Sequence, residues 1–260
     1  MDYLIDSHCH LTFDGLREQV DAVIERAAAA GVAEIVTVAT DLADAEKALA
    51  LSQQYPSVRA IAGIHPHEAS KVREGWDKEL LALIKRDDVF AVGEIGLDYH
   101  YDFSDPQSQS RIFRRQLEIA AEAAKPVVVH CREAHRDAMA ALADFPTLPG
   151  VAFHCFSGTA AEADEIWDRG YWISLTGVVT FKRSDGLRAV ARLAPADRLM
   201  VETDAPYLSP EPLRNIRPNE PAYLIHTVAC IAVQRGISST ELASLTTANT
   251  RRFFSLPAEQ

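Results

Sequence analysis

Short runs rich in β-branched residues alternate with longer runs of helical period along the whole chain. Eight strands are predicted, over residues 3–7, 34–38, 58–62, 89–93, 127–130, 151–154, 171–174 and 199–202. Helices are predicted over residues 16–30, 42–54, 76–85, 106–124, 132–145, 160–168, 186–193, 221–234 and 239–254. Eight strand–helix units in 260 residues predict a closed (β/α)8 TIM barrel, with one domain over 1–260. A doubly wound open sheet is the alternative.

Unusual polar residues crowd at the carboxyl ends of six predicted strands. In chain order they are His8 with His10, His65 with His67, Glu94 with Asp98, His130, His154, and Glu202 with Asp204. A barrel gathers the carboxyl ends of all its strands on one face, where the active sites of TIM-barrel enzymes lie. An open sheet spreads those ends along a line and offers one usable crevice. The distribution therefore favours the barrel, with the site at the carboxyl ends of its strands.

The composition is that of an ordinary globular chain, with 48% hydrophobic and 24% charged residues. A formal net charge of −11 argues against a broad basic nucleic-acid surface, but it allows a small, locally positive phosphate site. No apolar run approaches the roughly 18 residues that a membrane span needs, and the N-terminus does not resemble a signal peptide. The four cysteines form no CxxC pair. We therefore expect reduced thiols and a cytoplasmic protein with no membrane partner.

Two histidines separated by one residue follow the first predicted strand. Side chains alternate along a strand, so His8 and His10 point the same way and can reach one ion. Exposed or hydrogen-bonded histidines are the simpler interpretation of this spacing alone. After the eighth strand, Glu202 and Asp204 share a face if the strand persists that far. A turn role for Asp204 and an ion pair for Glu202 are the alternatives.

Further carboxylate and imidazole donors follow the middle strands. Glu94 stands beside Gly93, in a segment where glycines allow a tight turn and close approach, and a carboxylate there can bridge two cations. A salt-bridged or helix-capping acid is the alternative. His130 and His154 each end an apolar strand. Taken together with Asp204, these donors are enough for two divalent cations, and their mixed type admits Mg²⁺, Mn²⁺ or Zn²⁺.

Seven segments, in this order, resemble the TatD family of metal-dependent deoxyribonucleases, which belongs to the amidohydrolase-like TIM barrels. They are DSHCH, GIHPH, GEIGLDYH, VVVHCRE, FHCFSG, ETDAPYLSP and NTRRF. For the first metal, the resemblance implies that His8 and His10 are ligands and that Asp204 contacts the metal and its water. We expect Asp204 to orient and deprotonate the attacking water.

For the second metal, the resemblance implies that Glu94 bridges to it and that His130 and His154 complete it. Glu94 is thus the second expected catalytic carboxylate, and His65 is expected to touch substrate phosphate or support the site. Arg132, two residues after the strand-end His130, is a further candidate phosphate contact. Additional candidates are Lys182, Arg183, Arg214 and Arg217 for phosphate, and Tyr99, Tyr101, Phe156 and Tyr207 for base stacking or loop packing.

The implied activity is divalent-metal-dependent hydrolysis of phosphodiester bonds by a deoxyribonuclease, most often a 3′–5′ exonuclease. The expected partner is DNA or another phosphodiester, bound at ends or single strands, and no oligomeric state is implied. The alternative is hydrolysis of another ester or an amide on the same kind of site. Many wider amidohydrolases bridge their metals with a carboxylated lysine, and Glu94 takes that place here. That difference disfavours a dihydroorotase or a hydantoinase, and the many strand-end donors disfavour a non-enzymatic metal-binding protein.

Overall fold

The computed structural model describes residues 3–257 and has the predicted alternation of strands and helices. The strands are β1 Leu4–Cys9, β2 Val32–Val38, β3 Val58–Ala62, β4 Val89–Asp98, β5 Val127–Arg132, β6 Val151–Phe153, β7 Trp172–Leu175 and β8 Leu199–Val201. The α-helices are α1 Val20–Ala29, α2 Leu42–Gln54, α3 Trp76–Ile84, α4 Pro106–Ala123, α5 His135–Ala143, α6 Ala160–Asp168, α7 Asp185–Leu193, α8 Leu224–Arg235 and α9 Ser239–Phe254. The strands form one parallel sheet in sequence order, which confirms the (β/α)8 TIM barrel.

Local sequence explains where several helices begin. The side chains of Asp41 and Asp105 accept hydrogen bonds from the first turns of α2 and α4, and Pro106 occupies the first turn of α4. Thr159 and Ser238 begin α6 and α9 with capping boxes, in which cap and first turn satisfy each other's N–H groups. Each cap therefore fixes the residue at which the preceding loop ends.

The strand β4 is longer than predicted and runs to Asp98 instead of ending at Gly93. Gly96 has a φ of 147°, and a Cβ atom there would lie 1.9 Å from the carbonyl oxygen of His130. Only glycine allows β4 and β5 to approach this closely. The expected close approach is therefore confirmed, whereas the expected tight turn is wrong, and Glu94 lies inside the strand.

Three helices begin later than predicted. A 3-10 turn over Arg17–Gln19 precedes α1, and another over Pro221–Tyr223 precedes α8. The helix predicted from residue 132 begins at His135 because β5 continues through Arg132. Nowhere in residues 3–257 does a helix combine the length and apolar character needed to cross a bilayer.

The chain contains two compact units. The first comprises the segment up to Thr37 and the segment from Cys155 onward, and the second is Val38–His154. In the first unit β1 pairs with β2 and β7 with β8, and a parallel bridge between Cys9 and Ala205 links β1 to the chain after β8. In the second unit β3, β4, β5 and β6 pair consecutively. A single domain over residues 1–260 stays a prediction.

Candidate metal centre

One group of potential ligands, which we call the first cluster, lies in the first unit and consists of His8, His10 and Asp204. His8 lies in β1 and His10 follows the strand, so strand alternation turns both imidazoles to one side. Their Nε2 atoms are 3.3 Å apart. The Oδ1 atom of Asp204 lies 3.5 Å from Nε2 of His10 and 3.8 Å from Nε2 of His8. The structure therefore brings these three predicted ligands together.

The loop after β8 carries Asp204 to the first cluster. Asp204 has a left-handed φ of 53°, and its N–H donates to the carbonyl oxygen of His8 over 3.0 Å. Directly before it, the N–H and the hydroxyl of Thr203 donate to the Asp6 carboxyl over 2.9 and 2.5 Å. Burial raises the pKa of Asp6 to about 7. The loop is thus fastened to β1 both at Asp204 and at the residue before it.

Glu202 has other partners than Asp204. The sequence predicts that Glu202 and Asp204 share a face only if the eighth strand continues through both residues. In the structure β8 ends at Val201, before either of them. The buried Glu202 carboxylate accepts hydrogen bonds from the N–H of Cys155 over 2.6 Å and from the hydroxyl of Ser174 over 2.5 Å. Within the first unit, Glu202 therefore ties β8 to its neighbouring segments.

The second cluster lies in the second unit and consists of Glu94, His130 and His154. Glu94 lies in β4, His130 in β5, and His154 directly follows β6. The Oε1 atom of Glu94 is 2.8 Å from Nδ1 of His130 and 2.6 Å from Nε2 of His154. The Nε2 atom of His65 lies 3.4 Å from the same oxygen. Imidazoles from three segments of the unit thus meet at one carboxylate oxygen.

Burial and hydrogen bonding set the protonation of this cluster. Burial alone would raise the pKa of Glu94, but the imidazoles of His154, His65 and His130 hold it well below its usual range. Burial lowers the pKa of His65 to about 4. Burial also opposes protonation of His130, yet hydrogen bonds to Asp98 and Glu94 raise its pKa. Glu94 is therefore an ionised carboxylate, the form that binds a cation.

Asp98, at the end of β4, orients one imidazole of the second cluster and one imidazole beside it. Its Oδ2 atom lies 2.9 Å from Nε2 of His130 and 2.9 Å from Nε2 of His67. Its Oδ1 atom accepts from the N–H groups of His100 and Tyr101 over 2.9 and 3.0 Å. Sequence alone places Asp98 near a strand end and assigns it no role. Asp98 is four residues after Glu94, an even spacing that in a continuous strand would indicate the same face. The predicted strand ends at residue 93, so it does not include this pair.

His65 and Arg132, the two predicted substrate contacts, both belong to the second unit. His65 is buried, and its Nδ1 atom accepts from the N–H of His67 over 3.1 Å. Arg132 is exposed at the end of β5, and its guanidinium carbon lies 4.9 Å from the ring centroid of Tyr101. His65 is thus packed against Glu94, whereas Arg132 faces solvent, where it can meet a phosphate.

The other predicted phosphate contacts lie in the first unit. Lys182 and Arg183 are exposed before α7. The guanidinium carbon of Arg214 lies 3.5 Å from the ring centroid of Phe181. Arg217 donates to a serine hydroxyl and to the carbonyl oxygen of Arg214, both over 3.2 Å. Lys182 and Arg183 are therefore more available to a ligand than the two arginines of the later loop.

The donor chemistry of both clusters fits a cation. In each cluster, one ligand atom from each residue lies within 4.8 Å of the others, so a single ion can reach all three. Two imidazole nitrogens 3.3 Å apart, as in the first cluster, require a proton or a cation between them. Nitrogen and carboxylate oxygen together suit divalent metals. The individual ligand roles and the bridging by Glu94 stay predictions.

Comparisons with known proteins agree with this geometry. A profile of the family described as TatD related DNase matches residues 5–255. A protein of Citrobacter koseri named 3′-5′ ssDNA/RNA exonuclease TatD is 40% identical over 258 residues, which cover 97% of this chain and 99% of its own. The crystal structure of a TatD homologue from Escherichia coli matches with a TM-score of 0.92 at 31% identity, over 98% of both chains. A TatD family hydrolase from Entamoeba histolytica matches with a TM-score of 0.89 at 26% identity, over 97% of this chain and 98% of its own. Because the family profile spans nearly all of the sequence, this chain belongs to the TatD family of deoxyribonucleases.

Proposed function

We propose that the protein is a divalent-metal-dependent 3′–5′ exonuclease that degrades single-stranded DNA or RNA from its ends. Membership of the TatD family makes it a hydrolase of phosphodiester bonds. The observation that carries the metal dependence is the presence of two imidazole–carboxylate clusters, whose residues lie in or shortly after the β-strands. The printed name of the Citrobacter koseri relative supports the single-stranded substrate and the direction of cleavage.

In this proposal each cluster holds one cation. His8, His10 and Asp204 hold one, and Glu94, His130 and His154 hold the other. A bound divalent cation supplies positive charge that polarises a phosphoryl oxygen and acidifies water. Mg²⁺, Mn²⁺ and Zn²⁺ all accept this mixed donor set.

The side chains around the cations divide the remaining work. The Asp204 carboxylate, 13% exposed, is reachable by water and accepts the proton of the attacking molecule. Glu94 is buried and held ionised by three imidazoles, so it provides fixed negative charge. Arg132 then binds a phosphate of the substrate as a cation, whereas the buried His65 supports Glu94 as a neutral imidazole.

The acidic character of the whole chain limits how much nucleic acid it can bind. A net charge of −11 argues against a broad basic surface for duplex DNA, so local cations supply the attraction in this proposal. The free end of a nucleic-acid chain enters a site at the ends of the β-strands more easily than the middle of a continuous duplex does. We therefore expect ends and single strands to be preferred.

A metal-reconstituted activity panel tests the proposal. The protein is depleted with a chelator, reloaded with Mg²⁺, Mn²⁺ or Zn²⁺, and offered single-stranded DNA, duplex DNA, RNA and a cyclic amide. We expect hydrolysis to disappear with the chelator, to return with a divalent cation, and to be fastest on single strands from the 3′ end. Full activity in chelator, or turnover of the cyclic amide alone, would contradict the proposal.

A further inference from the structure

An exposed group of aromatic rings lies in the loop between β4 and α4. Tyr101 is 43% exposed and Phe103 is 59% exposed, which is unusual for side chains of this size. Their ring centroids are 5.6 Å apart and the rings are inclined by 33°. The imidazole of His67 lies 4.7 Å from the ring of Phe103 and 5.5 Å from that of Tyr101. We call Tyr101, Phe103 and His67 the aromatic platform.

The platform is held rigidly by buried polar groups of the second unit. The N–H of Tyr101 donates to Asp98 over 3.0 Å. Ser104, which follows Phe103 and is buried, donates from its hydroxyl to the carbonyl oxygen of His67 over 2.9 Å. The buried Gln109 side chain donates to the carbonyl oxygen of Ser104 over 2.9 Å. The exposed rings therefore sit on a fixed backbone, which reduces the entropy lost when a ligand stacks on them.

The platform is joined to the second cluster through one carboxylate. The Oδ2 atom of Asp98 lies 2.9 Å from Nε2 of His67, in the platform, and 2.9 Å from Nε2 of His130, in the cluster. A substrate whose phosphate lies at the second cluster thus has the exposed rings close to its neighbouring nucleotides.

The chemistry around the platform matches a nucleotide. Aromatic faces stack on nucleobases of any sequence. The exposed guanidinium of Arg132 lies 4.9 Å from the Tyr101 ring centroid. The platform thus offers exposed rings for a base, and the guanidinium beside Tyr101 offers a cation for a phosphate.

We propose that Tyr101 and Phe103 stack a nucleobase near the 3′ end of a single strand and so favour single strands over duplexes. This inference rests on the proposed function and adds the residues that recognise the base. In a duplex, paired and stacked bases hide their faces, whereas an unpaired base can lie flat on the platform. If the platform instead binds a second protein chain, substitution of Phe103 would change the oligomeric state and leave the KM for the substrate unchanged.

The test compares two single-stranded oligonucleotides that differ only at their 3′ ends. In one the last few nucleotides carry bases, and in the other they are stable tetrahydrofuran abasic analogues. We expect the wild-type KM to be roughly 5- to 100-fold higher for the abasic oligonucleotide. Phe103→Ala should raise the KM of the normal oligonucleotide towards the abasic value, with a smaller change in kcat, and Phe103→Trp should keep the wild-type ratio.

Leu193→Ala is the matched control, because Leu193 is also 59% exposed but lies in α7. It should retain the wild-type ratio of KM values. Equal KM values for both oligonucleotides in the wild type, or a full ratio in Phe103→Ala, would overturn this inference and leave the proposed function standing. A Phe103→Ala variant that differs from the wild type only in its sedimentation would overturn the inference as well. Degradation of neither oligonucleotide by the wild type would overturn both proposals.

Discussion

The two clusters contain the same kinds of donor but are held in place differently. In the second cluster the side chains bind one another, since the Glu94 carboxylate meets His130 and His154, and His130 also meets Asp98. In the first cluster the placement of Asp204 comes from the backbone, through its N–H bond to the carbonyl oxygen of His8. The comparison teaches that contacts between charged side chains position the second cluster, whereas a backbone hydrogen bond of the loop after β8 positions Asp204 in the first cluster.

This difference predicts how each site responds to substitution. Removing a supporting carboxylate beside the second cluster should disturb the orientation of its ligands. Removing a polar support beneath the loop of the first cluster should instead cost stability, because that support is a buried hydrogen bond. Three substitutions separate these responses, beginning with the largest effect.

The largest effect is expected from Asp204→Asn, which keeps the size of the side chain but removes its charge. Because Asp204 accepts the proton of the attacking water in the proposed reaction, kcat should fall by about 10²–10⁴-fold. Steady-state kinetics with single-stranded DNA measures the change, and metal content is determined on the same sample.

Asp164→Asn is the control for that substitution, because Asp164 is an exposed carboxylate on α6. It should have wild-type kcat. If Asp204→Asn retains near wild-type kcat with its full complement of metal, Asp204 is a turn residue and the proton acceptor lies elsewhere.

An intermediate effect is expected from Asp98→Asn. The amide cannot accept from both His130 and His67 as the carboxylate does, so the ligand His130 loses its orientation. Loss of such a support typically lowers metal affinity by about 10- to 100-fold. In a Mn²⁺ titration the weakening should affect one equivalent of metal and spare the other.

The control is Asp137→Asn, which removes a carboxylate that accepts from the hydroxyl of Tyr99 at the surface. Both equivalents should keep wild-type affinity there. Equal weakening of both equivalents in Asp98→Asn would show that the two clusters do not differ in their support.

The smallest effect is expected from Thr203→Val, beneath the first cluster. It removes the hydroxyl that hydrogen-bonds the buried Asp6 carboxyl. Asp6 keeps its bonds from the N–H groups of His8 and Thr203, so loss of this one hydrogen bond should lower the free energy of unfolding by about 0.5–1.5 kcal/mol, measured in urea. Thr227→Val is the control, because Thr227 is equally buried and its hydroxyl meets no protein partner among residues 3–257. A Thr203→Val variant as stable as this control would refute the loop-support account.

The sequence predicts the fold well, because the period of the apolar residues is a local signal. It also predicts that His8 and His10 share a side, since strand alternation alone requires it. The prediction is wrong at Gly96, where the glycine allows close contact between β4 and β5 and does not form a turn. Because the predicted strand ends before Gly96, the role of Asp98 at the end of β4 is not predicted. The bond between Thr203 and Asp6 joins segments far apart in the chain, and no local pattern encodes such a pairing.

The central claim is that each cluster binds its own divalent cation, and metal content tests it most directly. Elemental analysis of wild-type protein after loading and desalting should give about two equivalents per chain. His10→Ala and His154→Ala should each give about one, and His226→Ala, a histidine of α8 outside both clusters, should give about two. A wild type with one equivalent, or a His10→Ala or His154→Ala variant that retains two, would contradict the account.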